Sequence, residues 1–135
     1  DSLVIEYGLK VLENNPNQRE LRLSNNALKS LSGLETYPNR LEQFDLSKNI
    51  LRSLEPLRYL TNLQDLSLEQ NEISSIHELS TLSNLQSLNL IGNKVASTKD
   101  LTAISSMNKL TTICLAENPI TSMVDYPDNV FALQD

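Results

Sequence analysis

One eleven-residue pattern recurs five times along the 135-residue chain and constrains its fold more than any other feature. In the clearest copy, Leu63–Ile73, aliphatic residues stand at positions 1, 4, 6 and 11, and an asparagine stands at position 9. The three central copies begin 22 residues apart, and the last copy follows after 25. A repeat of this length predicts a solenoid, in which each unit buries its apolar side against its neighbours. The copies begin at Gln18, Leu41, Leu63, Leu85 and Leu110.

Each copy has two halves with different periodicities. Around Leu66 and Leu68, apolar and polar residues alternate, which predicts a short strand with one face inward. The outer half of the preceding copy carries Leu54, Leu57 and Leu60, whose spacing by three suits a 3-10 turn or a short helix. Bulky outer segments opposite thin strands should curve the stack. The prediction is an α/β solenoid: a right-handed superhelix with a curved parallel β-sheet on the concave face and 3-10 or short helical segments on the convex face.

An asparagine at position 9 of every copy should turn inward where the strand bends. A buried peptide group without a partner costs about 1–3 kcal/mol, and a carboxamide can both donate and accept hydrogen bonds. We therefore expect a structural ladder of buried asparagines that bond the backbone, and not a ligand site. Its members are Asn26, Asn49, Asn71, Asn93 and Asn118.

The segment before the first copy should cover the apolar end of the stack. An amphipathic helix is predicted over Ser2–Glu13, because Leu3, Tyr7 and Val11 recur on one face at i, i+4 and i+8. Gly8 disfavours a helix at its position and leaves a β-element open as the alternative.

The whole chain is interpreted as one structural domain with three parts. Residues 1–17 form the N-terminal capping segment, residues 18–124 form the five repeats, and residues 125–135 form a C-terminal cap helix. The longer interval before the last copy predicts a fuller outer helix near Asp100–Met107.

Motifs in the last third of the chain resemble known families. The 22-residue period together with the ending Asn118–Leu133 resembles the intracellular subclass of leucine-rich-repeat proteins and its eukaryotic-type C-terminal cap. Within that stretch, Gly92–Leu133 resembles the acidic leucine-rich nuclear phosphoproteins, and Ile113–Leu115 with Asn118–Thr121 resembles the spliceosomal A-prime proteins. The resemblance implies a protein-binding solenoid in the cytoplasm or nucleus, or on the cytoskeleton.

Two absences in the sequence bear on the compartment. Cys114 is the single cysteine, so no internal disulfide can form, and no Asn-x-Ser/Thr glycosylation signal occurs. Both favour an intracellular protein, although a secreted bacterial protein would satisfy them too. No apolar run approaches the roughly 20 residues that span a bilayer, so we expect no association with a membrane.

The net charge of −6 lies in the second half of the chain. Residues 1–62 carry eight basic and eight acidic side chains, whereas residues 63–135 carry three basic and nine acidic ones. No lysine or arginine occurs from Thr61 to Asn93. Such a surface repels phosphate backbones and attracts cations, which favours a basic protein partner over direct nucleic-acid binding.

Residues for catalysis or cofactor binding are sparse. His77 is the only histidine and falls in an outer segment, far in the pattern from Cys114. The three glycines form no phosphate-binding loop. We therefore expect no enzyme activity, no metal and no cofactor.

The outward strand positions are the candidate binding residues. Those of the first three strands are mostly charged or polar, whereas those of the last two are small or apolar. Ile91 is an apolar residue on a face that should meet water, and with Cys114 and Ala116 it predicts an apolar patch near Glu69. The candidates are Arg22, Asp45, Asp65, Glu69, Asn89, Ile91, Thr112, Cys114 and Ala116.

These observations favour a non-enzymatic protein–protein interaction module, an adaptor or regulatory subunit that is a monomer on its own. Two alternatives remain open. One is a component of a ribonucleoprotein particle that contacts an RNA-binding protein and RNA, as the spliceosomal resemblance implies. The other is a bacterial surface or effector protein, whose repeats can carry the Leu-Thr-Asn-Leu found at Leu60–Leu63.

Overall fold

The computed structural model describes residues 1–122, and its centre is a five-stranded parallel sheet. The strands follow the sheet in chain order, and each pairs in the same register with the next, so the predicted copies align residue for residue. Their bounds are β1 Glu20–Arg22, β2 Gln43–Asp45, β3 Asp65–Ser67, β4 Ser87–Asn89 and β5 Thr112–Cys114.

The outer half of each repeat forms a 3-10 helix or a short α-helix, as the spacing by three predicts. The 3-10 helices are Leu34–Thr36, Glu55–Tyr59, His77–Thr81 and Pro119–Ser122. In the longer fourth repeat an α-helix, α2, spans Thr98–Ser105 and begins two residues before its predicted start. It begins there because the Ser97 hydroxyl oxygen accepts a hydrogen bond from the Lys99 amide at 3.2 Å. The predicted solenoid, with strands on one face and helical segments on the other, is confirmed.

Each repeat turns at the same backbone position, just after the strand. Position 8 adopts a left-handed conformation in all five repeats, with φ between 56° and 74°. Only Gly92 has the residue type that meets this φ without steric cost. The turn is therefore imposed by the stacking of the repeats and not by local preference. The five residues are Asn25, Lys48, Gln70, Gly92 and Glu117.

The buried asparagines behind these turns bond the backbone on both sides. Asn71 accepts at Oδ1 from the Leu51 amide of the preceding repeat at 3.0 Å. Its Nδ2 donates to the carbonyl of Leu46 in that repeat at 3.0 Å and to Leu68 in its own at 3.1 Å. Asn49, Asn93 and Asn118 repeat this arrangement and are all at most 6 % exposed.

The prediction for Asn26 is wrong. It is exposed, and its Nδ2 donates at 3.1 Å to the carbonyl of Ser24 in its own repeat. The ladder requires a preceding repeat that offers an amide and a carbonyl, and the first repeat has none. The Asn26 amide instead donates to Oδ1 of Asn49, at 3.0 Å.

The N-terminal helix, α1, spans Ser2–Asn14, but its buried face is not the predicted one. Ile5, Gly8 and Leu12 pack against the stack, whereas Leu3 is 80 % and Tyr7 62 % exposed. The i, i+4, i+8 pattern therefore identified a real apolar stripe and assigned it to the wrong side.

Gly8 explains why this other face is buried. A Cβ at Gly8 would overlap the hydroxyl of Tyr37 and lie 3.1 Å from Cδ2 of Leu21. The Tyr37 hydroxyl donates to the carbonyl of Ile5 at 2.8 Å, and burial raises the pKa of Tyr37. Arg40 attaches the far end of the helix by donating to the carbonyl of Leu12. Gly8 thus permits a close approach, and the β-element that it left open does not form.

The predicted C-terminal cap helix, residues 125–135, lies outside the described residues. The division into a capping segment, five repeats and a cap helix stays a prediction.

Candidate binding face on the concave sheet

The outward side chains of the five strands form two rows across the concave face. Parallel pairing in register places each side chain beside its counterpart in the next repeat. One row is Glu20, Gln43, Asp65, Ser87 and Thr112. The other row is Arg22, Asp45, Ser67, Asn89 and Cys114.

The structure brings the candidates of the last two repeats together. Asn89 lies directly beside Cys114 in the sheet. After the strands the repeats stay aligned, since the Gln70 amide donates to the carbonyl of Ile91 at 2.8 Å and the Gly92 amide to that of Ala116 at 3.0 Å. The turn residues Glu69, Ile91 and Ala116 therefore continue the face as a third row.

Ile91 is half-buried, so the apolar surface that it offers is smaller than the sequence suggested. The Asn89 side chain holds this turn in place, because its Oδ1 accepts from the Ile91 amide at 3.0 Å. Cys114 is also half-buried, whereas Ala116 and Thr112 are exposed. The result is a shallow, rigid patch with a neutral centre, which we call the β4–β5 patch (Asn89, Ile91, Thr112, Cys114 and Ala116).

The candidates of the first three repeats form a separate, charged region. Arg22 is exposed, but its Nε donates to Glu20 at 2.8 Å, which compensates its charge. Asp45 accepts at Oδ1 from the Ser47 amide at 2.9 Å, so part of its role is to fix the turn. Among the described residues, Asp45, Asp65 and Glu69 form no ion pair within 4.0 Å.

Sequence reasoning missed a shallow depression over this charged region. Its rim carries Glu20, Arg22 and Asp65, and the buried ring of Phe44 underlies it. The available signal was Phe44 itself, because the matching position of the other copies is Leu or Ile.

The convex side carries one polar cluster around the single histidine, His77, with Ser75 and Asp100. The exposed His77 ring meets the Ser75 hydroxyl at 2.7 Å, and Asp100 accepts from the Ile76 amide at 3.3 Å. Asp100 thus holds the backbone of the neighbouring repeat, and the Ser75 hydroxyl, 3.5 Å from Asp100 Oδ1, links it to His77. Residues 1–122 contain no cluster of three or more His, Cys, Asp or Glu side chains that could hold a metal ion.

The comparison with protein families agrees with this architecture. A family model described as leucine-rich repeat matches residues 4–133. The chain belongs to the leucine-rich-repeat family. The search of curated individual proteins found no match to the chain. No described helix of this leucine-rich-repeat chain has the length and apolar character needed to cross a membrane.

Solved leucine-rich-repeat structures from two kinds of organism superimpose on the chain. The Drosophila melanogaster SNF/U2A' complex matches with a TM-score of 0.73 and 29 % identity over 93 % of this chain and 73 % of the matched one. Internalin C2 from Listeria monocytogenes matches with a TM-score of 0.71 and 25 % identity over 90 % of this chain. Internalin F from the same bacterium matches with a TM-score of 0.72 and 26 % identity over 87 % of this chain. This chain spans 52 % of the internalin C2 chain and 37 % of the internalin F chain.

Proposed function

We propose that this leucine-rich-repeat chain is a non-enzymatic adaptor or regulatory module that binds a protein partner on its concave face. The observation that carries the proposal is the continuity of three rows of outward residues across one sheet. Since the parallel ladder and the buried asparagines hold these rows in register, the backbone of this surface does not have to be ordered when a partner binds. The sequence likeness to spliceosomal A-prime proteins and the SNF/U2A' neighbour support a protein partner.

The charges of the face favour a basic partner. Asp45, Asp65 and Glu69 lack ion-pair partners among the described residues, and Arg22 is already paired with Glu20. The β4–β5 patch beside them carries no charge and offers part of the Ile91 side chain. A neutral centre beside an acidic region suits a partner that presents an apolar residue next to lysine or arginine.

A role in a ribonucleoprotein particle is the second candidate, favoured by the SNF/U2A' complex among the structural neighbours. In this role the chain would bind an RNA-binding protein in the nucleus, and its own acidic face would not contact the RNA. A filter-binding titration with an RNA oligonucleotide at several salt concentrations tests this division. We expect no steep salt dependence for the chain alone, because that requires contacts to several phosphates.

The Listeria internalins leave a bacterial surface protein as a third candidate, since they share the fold at similar identity. The residues that resemble a eukaryotic-type cap favour the intracellular candidates. We therefore propose the cytoplasm or nucleus as the compartment.

The experiment is capture of the partner from cell extract, followed by titration of two variants with the purified partner. Ile91→Arg should weaken binding by more than about 1 kcal/mol, because it puts a cation in the centre of the β4–β5 patch. The matched control is His77→Arg, which adds the same side chain to the exposed convex side and should leave binding unchanged. Thermal unfolding of both variants verifies that the fold is intact. Loss of binding in the His77 variant alone would place the partner on the convex side and refute the proposal.

A further inference from the structure

Positions 8 to 12 of each repeat, which follow the strand and include the buried asparagine, form a lateral edge of the solenoid. One main-chain hydrogen bond ties each of these loops to the loop before it. The Ile50 amide donates to the carbonyl of Leu28 at 2.9 Å, and the Glu72 amide donates to that of Leu51 at 2.9 Å. The lateral edge is therefore as regular as the sheet, and its side chains are held at fixed relative positions.

The second repeat presents an aliphatic side chain between two cations on this edge. From Lys48 to Arg52 exposed and buried residues alternate, so that Lys48, Ile50 and Arg52 all meet solvent. Among the five described repeats, only the second has a cation on both sides of an aliphatic residue at these positions. The matching residues of the third repeat are Gln70, Glu72 and Ser74, and those of the fourth are Gly92, Lys94 and Ala96.

The cations around Ile50 have no ion-pair partner among the described residues. Within 4.0 Å, no carboxylate of residues 1–122 pairs with Lys29, Lys48 or Arg52. Lys29 of the first repeat belongs to the same surface, because it lines one depression together with Ile50, Arg52 and Glu72. We call this surface the basic edge (Lys29, Lys48, Ile50 and Arg52).

The two carboxylates beside the basic edge have other partners. Glu72 Oε2 lies 2.9 Å from Lys94 Nζ, and this contact, with a smaller electrostatic effect of Arg52, lowers the pKa of Glu72. The Asp1 carboxylate accepts from two backbone amides of the first repeat, both at 2.9 Å. The three cations of the basic edge and Lys94, less these two carboxylates, leave a local charge of +2, whereas the whole chain carries −6.

Charge complementarity selects the occupant of this surface. A single exposed aliphatic side chain is ordinary on a protein. Ile50, which is 37 % exposed, differs because it lies in a depression with cations beside it. Alternate side chains of an extended segment point the same way. The basic edge therefore complements an extended segment in which Asp or Glu stands two residues before and two residues after an aliphatic residue. An apolar centre with a polar rim is the usual anatomy of a protein interface.

A protein segment fits the basic edge better than a nucleic acid does. Glu72 also lines the depression, and the neighbouring strands carry Asp45 and Asp65, which have no ion-pair partner among the described residues. A phosphate backbone that ran across the repeats would meet these carboxylates, whereas a short acidic segment needs only the first two repeats. A phosphate backbone also offers no aliphatic group to Ile50.

We propose that the basic edge is a second binding surface, which takes an acidic protein segment of the pattern acidic–x–aliphatic–x–acidic. The proposal is independent of the β4–β5 patch, because the two surfaces lie in different repeats and attract opposite charges. With both surfaces, one chain joins a basic partner to an acidic one, which is what an adaptor does.

A titration of the isotope-labelled full chain with a synthetic peptide, followed by NMR, tests the proposal. The probe is a blocked peptide with the core Glu-Ser-Leu-Ser-Glu. It should shift the backbone amide resonances of Lys29, Ile50 and Arg52 in a saturable way and leave those of Asn89 and Ile91 unchanged. Two matched peptides, with the cores Gln-Ser-Leu-Ser-Gln and Glu-Ser-Ser-Ser-Glu, should each bind about threefold more weakly or worse.

Variants of the chain separate the charged and the apolar parts of the surface. Lys48→Gln and Arg52→Gln should each raise the peptide dissociation constant about threefold, and the double variant about tenfold. Ile50→Ser should remove the preference for the peptide with leucine over the peptide with serine in its place. Lys99→Gln and Leu3→Ser make the same changes on exposed residues of other surfaces and should leave the dissociation constant unchanged.

Three results would overturn the proposal. One is the absence of a saturable shift up to about 5 mM peptide. Another is equal binding of the peptide that carries glutamine, since charge would then play no part. The third is an RNA oligonucleotide that shifts the same resonances at lower concentration than the acidic peptide, since a polyphosphate would then be the better ligand.

Ile91→Arg separates this proposal from binding on the concave face. It should weaken binding of the captured partner and leave the dissociation constant of the acidic peptide unchanged. A change in the peptide dissociation constant in that variant would place the peptide on the β4–β5 patch and contradict a separate surface at the basic edge.

Discussion

The interior repeats and the N-terminal end satisfy the same pattern in different ways. In the interior, Asn71 is 6 % exposed and joins two repeats through its carboxamide. At the N-terminal end, Asn26 occupies the same position of the pattern, is exposed, and bonds only its own repeat through its side chain. The comparison shows that the asparagine acts through the repeat before it. Where a helix replaces that repeat, the residue loses its partners and its burial.

The largest expected effect is the difference in the free energy of unfolding between two variants that carry the same substitution at different repeats. Asn71→Leu should lower the free energy of unfolding by about 1–3 kcal/mol, because it leaves the Leu51 amide buried without its partner. It also removes one of the two carboxamide donors of the Leu46 and Leu68 carbonyls, which keep Asn49 and Asn93 respectively. Asn26→Leu should change it by less than about 0.5 kcal/mol, because that side chain is in water. Chemical denaturation of both variants measures the difference. Equal effects would mean that the ladder is not held by the preceding repeat.

A second prediction concerns the tyrosine and glycine that join α1 to the stack. Alanine favours a helix over glycine by about 1 kcal/mol, yet Gly8→Ala should destabilise by roughly 1 kcal/mol because the new methyl group overlaps the Tyr37 hydroxyl. In a Tyr37→Phe background the cost of Gly8→Ala should shrink, since the hydroxyl is gone. A double-mutant cycle measures this coupling, and additive effects would show that the helix does not approach Tyr37 so closely.

A smaller effect should appear at alkaline pH. Burial raises the pKa of Tyr37, so the folded chain holds this proton more tightly than the unfolded chain does. Stability should therefore be independent of this group below about pH 10 and fall above it, by up to about 1.4 kcal/mol per pH unit. Denaturation from pH 8 to 11 should show a decline that Tyr37→Phe reduces. An unchanged decline in that variant would assign it to other groups.

The repeat pattern predicted most of the fold because each strand and outer segment depends on its own spacing and on identical neighbours. The register of all five strands and the burial of Leu54, Leu57 and Leu60 follow from that alone. The predictions that were wrong, for Asn26 and for the buried face of α1, concern contacts that have no counterpart in another repeat. The buried face of α1 depends on the match between Gly8 and Tyr37, which lie 29 positions apart and share no motif.

The candidate face was predictable in position but less so in exposure. Alternation along each strand identified the outward residues, whereas it carries no information on how far the Ile91 side chain is buried, since that depends on its neighbours in other repeats. The pairing of Arg22 with Glu20 within the chain likewise could not be predicted from the sequence, since either side chain could have bound a partner instead.

The reactivity of Cys114 tests most directly whether the concave face binds the partner. This half-buried thiol is the single cysteine of the chain and lies beside Asn89 in the β4–β5 patch, so one maleimide reports on that surface. Saturation with the captured partner should slow alkylation about tenfold or more. The control variant Cys114→Ala, His77→Cys moves the thiol to the exposed convex side and should react at the same rate with and without partner. Protection of the convex thiol with an unprotected Cys114 would contradict binding on the concave face.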